Sequence, residues 1–77
     1  MALGNRGNSG PRPWSYRPWD AHEWRRLREA WGAASPVPRG ATAVFWAVVA
    51  DAMATGRSPV AVERRAVERG MRAKIAE

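Results

Sequence analysis

Apolar and charged positions follow the 3.6-residue period of amphipathic helices in three separate stretches of the chain. In the first stretch, Trp24, Leu27 and Trp31 recur three and four residues apart and form one stripe, with arginines between them. The second stretch, residues 42–54, is apolar on nearly all sides, which is typical of the central helix of a three-helix core. The third, residues 59–69, mixes small apolar and charged residues. The pattern predicts an all-α protein with three helices.

Capping residues place the first helix near residues 20–31. Asp20 is a good N-cap, and Glu23 stands at the position that completes a capping box. Trp19 and Trp24 occupy the two positions of a hydrophobic staple. We expect the helix to end at Gly32, because glycine is common where helices stop.

A proline-containing loop and a plausible cap define the second helix. Two prolines in residues 33–40 oppose both helix and strand, so this segment predicts a loop. Thr42 is the expected N-cap, and the helix should run to about Ala54. The residues expected on its buried side are Phe45, Trp46, Val49, Ala50 and Met53.

The stretch GRSPVAVERRAVERG has clear start and stop signals for the third helix. Ser58 is the expected N-cap, and Pro59 takes the first helical position, where its missing N–H costs nothing. Gly70 fits the residue after the cap, and Met71 falls where a Schellman motif places its apolar contact. Residues 72–77 are expected to be a fraying tail or a short extra turn.

The pattern leaves open which side of the third helix is buried. In one register Val60 and Val67 face the core. In the other, Val62 and Ala66 face inward together with the aliphatic stem of Arg69. So short a helix has two half-apolar sides, so periodicity alone does not decide between these registers.

Composition favours a polyanionic partner. The chain has 77 residues, a net charge of +6 and a pI of about 11.5, values typical of small nucleic-acid-binding domains. The alternative is that arginine only keeps the chain soluble. Residues 1–18 are rich in glycine and proline and lack acidic side chains, which predicts a disordered basic arm.

Other classes of protein find little support in the sequence. The absence of cysteine and the single histidine, His22, argue against disulfides, metals and cofactors. The sequence has neither a nucleophile–base pair nor paired carboxylates on one helical face, so no residues indicate an enzyme. The longest apolar stretch, residues 41–54, contains Asp51 and is too short for a bilayer. With no export signal at the N-terminus, we expect a soluble cytoplasmic protein of a bacterium or of a phage-infected cell.

Three segments together resemble a Myb/SANT-like helix-turn-helix of the small bacterial and phage type. They are PWDAHEWRRL, FWAVVADAM and GRSPVAVERRAVERGM, the last being similar to the run that closes these domains. The resemblance implies a three-helix helix-turn-helix domain at residues 19–71, between a basic arm at 1–18 and a tail at 72–77. The chain departs from the family at Ala66, where eukaryotic repeats have a third tryptophan, and in its longer first loop.

The resemblance implies the register that buries Val62 and Ala66. It thereby places a different set of side chains in the major groove of double-stranded DNA: Val60, Glu63, Arg64 and Val67. Arg64 is the best candidate for a guanine contact, since guanidinium groups bind guanine with two hydrogen bonds. Val60 and Glu63 replace the Asn and Lys that the family often uses on bases.

Phosphate contacts are expected from the third helix and from the arm. The candidates are Arg57, Arg65 and Arg69, with Arg12 and Arg17 following along the backbone.

These residues predict a DNA-binding accessory factor in transcription or recombination. The alternative is a SANT-like protein-interaction module, binding a second copy of itself or another protein, for example a phage protein that binds a host factor.

Overall fold

The computed structural model describes residues 18–77, and they form three α-helices joined by two loops. Helix α1 spans Ala21–Ala33, α2 spans Thr42–Met53 and α3 spans Pro59–Glu68. Within residues 18–77 the only β-structure is one isolated bridge. The prediction of an all-α fold with three helices is confirmed.

The predicted cap and staple are both present at the start of α1. The Asp20 carboxylate accepts a hydrogen bond from the Glu23 backbone N–H at 2.9 Å, which satisfies one of the unpaired amides of the first turn. The Trp19 and Trp24 rings lie with their centres 4.9 Å apart across this turn. Together these contacts fix the direction in which the chain enters α1.

The predicted helix boundaries differ from the structure by one or two residues, most clearly at the end of α1 and the start of α2. Helix α1 continues through Gly32 to Ala33 and ends because Ala34 has an extended backbone, with ψ at 139°. Thr42 is not the cap of α2 but its first helical residue. The cap is Ala41, because its carbonyl accepts the first α-helical hydrogen bond, from the Phe45 N–H at 3.1 Å.

The core lies between the three helices and is centred on α2. Trp46 and Phe45 are both buried, and their rings meet edge to face with centres 5.0 Å apart. Trp19, Trp24 and Trp31 are half-buried and pack around this core, as the apolar spacing predicted. The fully enclosed residues are Leu27, Phe45, Trp46, Val49, Ala50, Met53, Val62 and Ala66.

Helix α3 has well-defined caps at both ends. The Ser58 hydroxyl accepts from a backbone N–H in the first turn at 3.2 Å, and Pro59 follows it as the first helical residue. Gly70 has φ at +79°, and the amides of Gly70 and Met71 donate back into the last turn at 3.0 and 2.9 Å. This is the predicted Schellman motif, and it ends the helix at Glu68.

Residues 72–77 are neither an extra helical turn nor a frayed end. They run along the loop between α1 and α2, where Ile75 forms a parallel β-bridge with Val37. The Val37 amide donates to the Lys74 carbonyl at 2.9 Å, and the Ala76 amide donates to the Val37 carbonyl at 2.8 Å. The expectation of a fraying tail or extra turn was wrong, because backbone pairing with the loop holds this segment.

Side chains add to this pairing at the C-terminal end of α1. The Trp31 indole N–H donates to the Arg72 carbonyl at 2.8 Å. The Lys74 ammonium lies over the Trp31 ring and donates to the carbonyls of Gly32 and Ala34 at 3.1 and 3.2 Å. A cation is favourable here, because the last carbonyls of a helix have a partial negative charge.

Candidate nucleic-acid interface

The structure buries one side of α3 and exposes the other. Val62 and Ala66 are fully buried against α2, whereas Val60 is 65% exposed and Val67 is 36% exposed. The register that the resemblance implied is therefore the one that the chain adopts. The alternative, with Val60 and Val67 in the core, is wrong because the α2 side chains enclose Val62 instead.

Four residues share the side of α3 that faces away from the core, here called the outward face: Val60, Arg64 and Val67, which are exposed, and Glu63, which is half-buried. Because successive helical residues are turned by about 100°, Val60 and Val67 lie along its centre, with Arg64 on one flank and Glu63 on the other. Together with Glu68 these side chains line a shallow, open depression. The four candidates for base contacts thus lie on one continuous surface.

Arg64 and Arg65 are adjacent in sequence but differ in their surroundings. Arg65 forms an exposed ion pair with Glu68, 3.2 Å apart and within one helical turn. Arg64 is exposed on the outward face, and within residues 18–77 no hydrogen bond or ion pair holds its guanidinium. Its charge and its five N–H donors therefore face solvent.

Arg57 lies inside the protein. Its side chain is 1% exposed and its guanidinium forms a two-point ion pair with the buried Glu23 carboxylate, with Nη2 2.7 Å from Oε1 and Nε bonded to Oε2. Nη2 also donates to the Pro18 carbonyl at 3.3 Å, and the group lies 4.8 Å from the centre of the Trp19 ring. The pair joins the first turn of α1 to the segment before α3.

This arrangement corrects the expectation that Arg57 contacts phosphate. Its donors point into the interior toward Glu23 and cannot reach a DNA backbone while the fold is intact. Sequence reasoning missed the pair because a lone arginine before a helix is usually solvated. The capping pattern gave Glu23 a local role at the start of α1 and so did not point to a partner 34 residues away.

The remaining predicted phosphate ligands are partly described by the structure. The Arg69 guanidinium lies 3.8 Å from the centre of the Trp24 ring, so its stem covers the core while the residue stays exposed. Arg65 is also exposed, and it is turned about 100° around the helix from Arg64. Arg12 and Arg17 lie outside the described residues. Of the five candidates, the structure therefore places two at the surface: Arg65 in α3 and Arg69 directly after it.

Clusters of potential metal ligands and membrane-spanning helices are both absent from residues 18–77. Among residues 18–77 no cluster of three or more potential metal ligands occurs. None of the three helices has the length and apolar content needed to cross a bilayer.

In comparisons with protein-family models, with curated proteins and with solved structures, nothing matches the chain.

Proposed function

We propose that this chain is a small DNA-binding protein of bacterial or phage origin, an accessory factor in transcription or recombination, which inserts α3 into the major groove. The observation that supports this is the outward face of α3, which exposes Arg64 between two valines. An exposed cation on a rigidly capped helix is suited to bind a polyanion, and the chain as a whole is strongly basic.

The dimensions of α3 suit the groove. Ten helical residues extend about 15 Å, and a helix of roughly 10–12 Å in diameter fits a major groove about 12 Å wide. Val62 and Ala66 hold the opposite side of α3 against α2. The outward face can therefore approach base edges without any rearrangement of the core.

Each arginine of this region has a distinct proposed role. Arg64 donates two hydrogen bonds to the edge of a guanine, which distinguishes that base from the other three. Arg65 and Arg69 flank the groove and contact phosphates, with Arg12 and Arg17 extending the contacts along the backbone. Arg65 must share or leave Glu68 to do so, and an exposed pair of this kind is worth less than about 1 kcal/mol.

A gel-shift titration over a salt series tests the proposal. With random-sequence duplex, we expect binding that weakens steeply as salt increases, because phosphate contacts release counterions. A preferred site is then obtained by selection from random duplexes. On that site Arg64→Ala should cost roughly 1–3 kcal/mol, and much less on random DNA.

The matched control is Arg39→Ala, which removes the same charge from the loop between α1 and α2. Arg39 is highly exposed and lies 3.7 Å from Glu77, so its loss should leave the fold intact and affect all duplexes alike. Equal weakening of selected and random DNA by Arg64→Ala would make Arg64 a phosphate ligand. The absence of any binding at low salt would reject the proposed function.

A second candidate function is a protein-interaction module, and the apolar centre of the outward face favours it. Val60 and Val67 are exposed and would suit an apolar partner surface. An antiparallel pairing of two α3 helices would set Arg64 beside its own counterpart and Glu63 beside its own. This repulsion favours a different protein over a second copy as the partner. Light scattering on the purified protein distinguishes a second copy from a different protein as the partner, since only self-association would raise the measured mass.

A further inference from the structure

We infer that the outward face recognises the C5-methyl groups of two pyrimidines about two base-pair steps apart, so that thymine and 5-methylcytosine are interchangeable at those positions. This inference rests on the proposed function, because it describes what α3 would recognise within the major groove. It assigns to Val60 and Val67 a specific role in sequence preference.

The chemistry of valine limits what it can recognise. Its side chain has no donor or acceptor, and the C5-methyl is the one apolar group that base edges present in the major groove. Opposite a polar base edge, the same side chain would displace water without replacing its hydrogen bonds, which is unfavourable. Val60, at 65% exposed, has most of its surface available for such a contact. Each valine therefore favours a base that carries a C5-methyl group over a base that lacks it.

The spacing of the two valines sets the spacing of the two methyl groups. Val60 and Val67 are seven residues apart, close to two full turns, so they point in nearly the same direction about 10.5 Å apart along α3. Base pairs in one strand are separated by about 3.4 Å. That distance is measured along the DNA axis, whereas a helix in the major groove is inclined to the axis. In zinc fingers, side chains spread over about two turns of one helix contact three successive bases. The two valines should therefore reach base pairs roughly two steps apart.

The charged flanks of the outward face specify the base pair that lies between the two methyl groups. Arg64 lies between the valines along the helix and would donate to guanine, while Glu63 would accept from the amino group of cytosine. The inferred site is thus a core of about three base pairs. Its outer pairs present a C5-methyl, and its inner pair is G·C.

Methylation of cytosine gives the inference its most specific consequence. The methyl of 5-methylcytosine occupies the same place in the groove as that of thymine. Valine contacts the methyl and makes no hydrogen bond with the rest of the base, so it does not distinguish these two pyrimidines. Replacing an outer thymine by cytosine should weaken binding, and 5-methylation of that cytosine should restore it.

The test uses the full-length protein and a duplex selected from random sequences. Each thymine is replaced in turn by deoxyuridine, which removes the methyl and keeps the pairing. We expect a three- to fourfold loss of affinity at two positions about two steps apart, and about a tenfold loss when both are replaced. A parallel series places cytosine and then 5-methylcytosine at each of those positions.

Variants of the protein assign each methyl to one side chain. Val60→Ala should remove the sensitivity to deoxyuridine at one position, and Val67→Ala should remove it at the other. The matched control is Val44→Ala, since Val44 is a valine of similar exposure, 55%, on α2. That variant should keep both sensitivities.

Three results would overturn the inference. Tight binding that is indifferent to deoxyuridine at every position would reject methyl recognition and leave the proposed function standing. Sensitivity that persists in both valine variants would show that other residues contact the methyl groups. Failure to bind any duplex at low salt would reject the inference and the proposed function together.

Discussion

Two arginines near α3, seven residues apart, have opposite environments. Arg57 precedes the N-cap and points back toward α1, where its side chain is 1% exposed and paired with Glu23. Arg64 lies in the middle of α3 and is exposed on the outward face. The same side chain stabilises the fold in one place and is available to a partner in the other, so the number of arginines alone overstates the cations at the surface of the protein.

Two valines within α3 differ in the same way. Val62 is fully buried against α2, and Val60, two residues earlier, is 65% exposed. Two residues correspond to a turn of about 200°, which places their side chains on opposite sides of the helix. The comparison therefore predicts that changes on one side of α3 affect stability and that changes on the other side affect binding.

Arg57→Ala should have the largest effect on stability. It leaves the Glu23 carboxylate buried without its cation, and breaking a buried pair in this way costs about 3–5 kcal/mol. Urea denaturation followed by tryptophan fluorescence measures the loss. Replacing both partners with apolar residues, Arg57→Met with Glu23→Leu, should cost much less, since no buried charge remains. A loss below about 1 kcal/mol for Arg57→Ala would show that the residue is solvated after all.

Val62→Ala should have an intermediate effect. The change removes two buried methyl groups from the contact with α2 and leaves a cavity, for a loss of about 2 kcal/mol. The midpoint of thermal unfolding reports this loss. Val48→Ala on α2 is the control, because Val48 is 50% exposed and its truncation should change the stability by less than about 0.5 kcal/mol. Similar losses in the two variants would contradict the observed register of α3.

The smallest effect on stability is expected from replacing Val60 and Val67 together with serine. Both residues are exposed, so the free energy of unfolding should change by no more than about 0.5 kcal/mol. Affinity for the selected duplex should nevertheless fall, because the serines lack the apolar contact. If the protein instead loses much of its stability, the outward face contributes to the core.

Much of the fold could be predicted from local sequence. The Asp20 cap, the Trp19–Trp24 staple and the turn at Gly70 depend on residues close together in the chain, and the structure contains all three. The register of α3 could not be obtained from periodicity, because a helix of ten residues has two half-apolar sides. It came from the resemblance, which placed Val62 in the core.

The features that were missed depend on contacts between distant parts of the chain. The pair of Arg57 with Glu23 joins two charged residues whose separate contexts both suggest a solvated surface. The bridge between Val37 and Ile75 depends on backbone groups, which have the same chemistry in every residue and leave no pattern in the sequence. Of the candidate site, the exposed positions on α3 were predicted, and the burial of Arg57 was not.

The bridge at Val37 also changes how the loop between α1 and α2 should be regarded in protein engineering. Exposed loops are usually the places where insertions and fusions are best tolerated. Here the loop shares two backbone hydrogen bonds with Lys74 and Ala76, so lengthening it near Val37 would separate it from the end of the chain. A label attached at Glu77 would lie beside that same loop, since Arg39 is 3.7 Å from it. The loop and residues 72–77 thus form one structural unit, although they are far apart in the sequence.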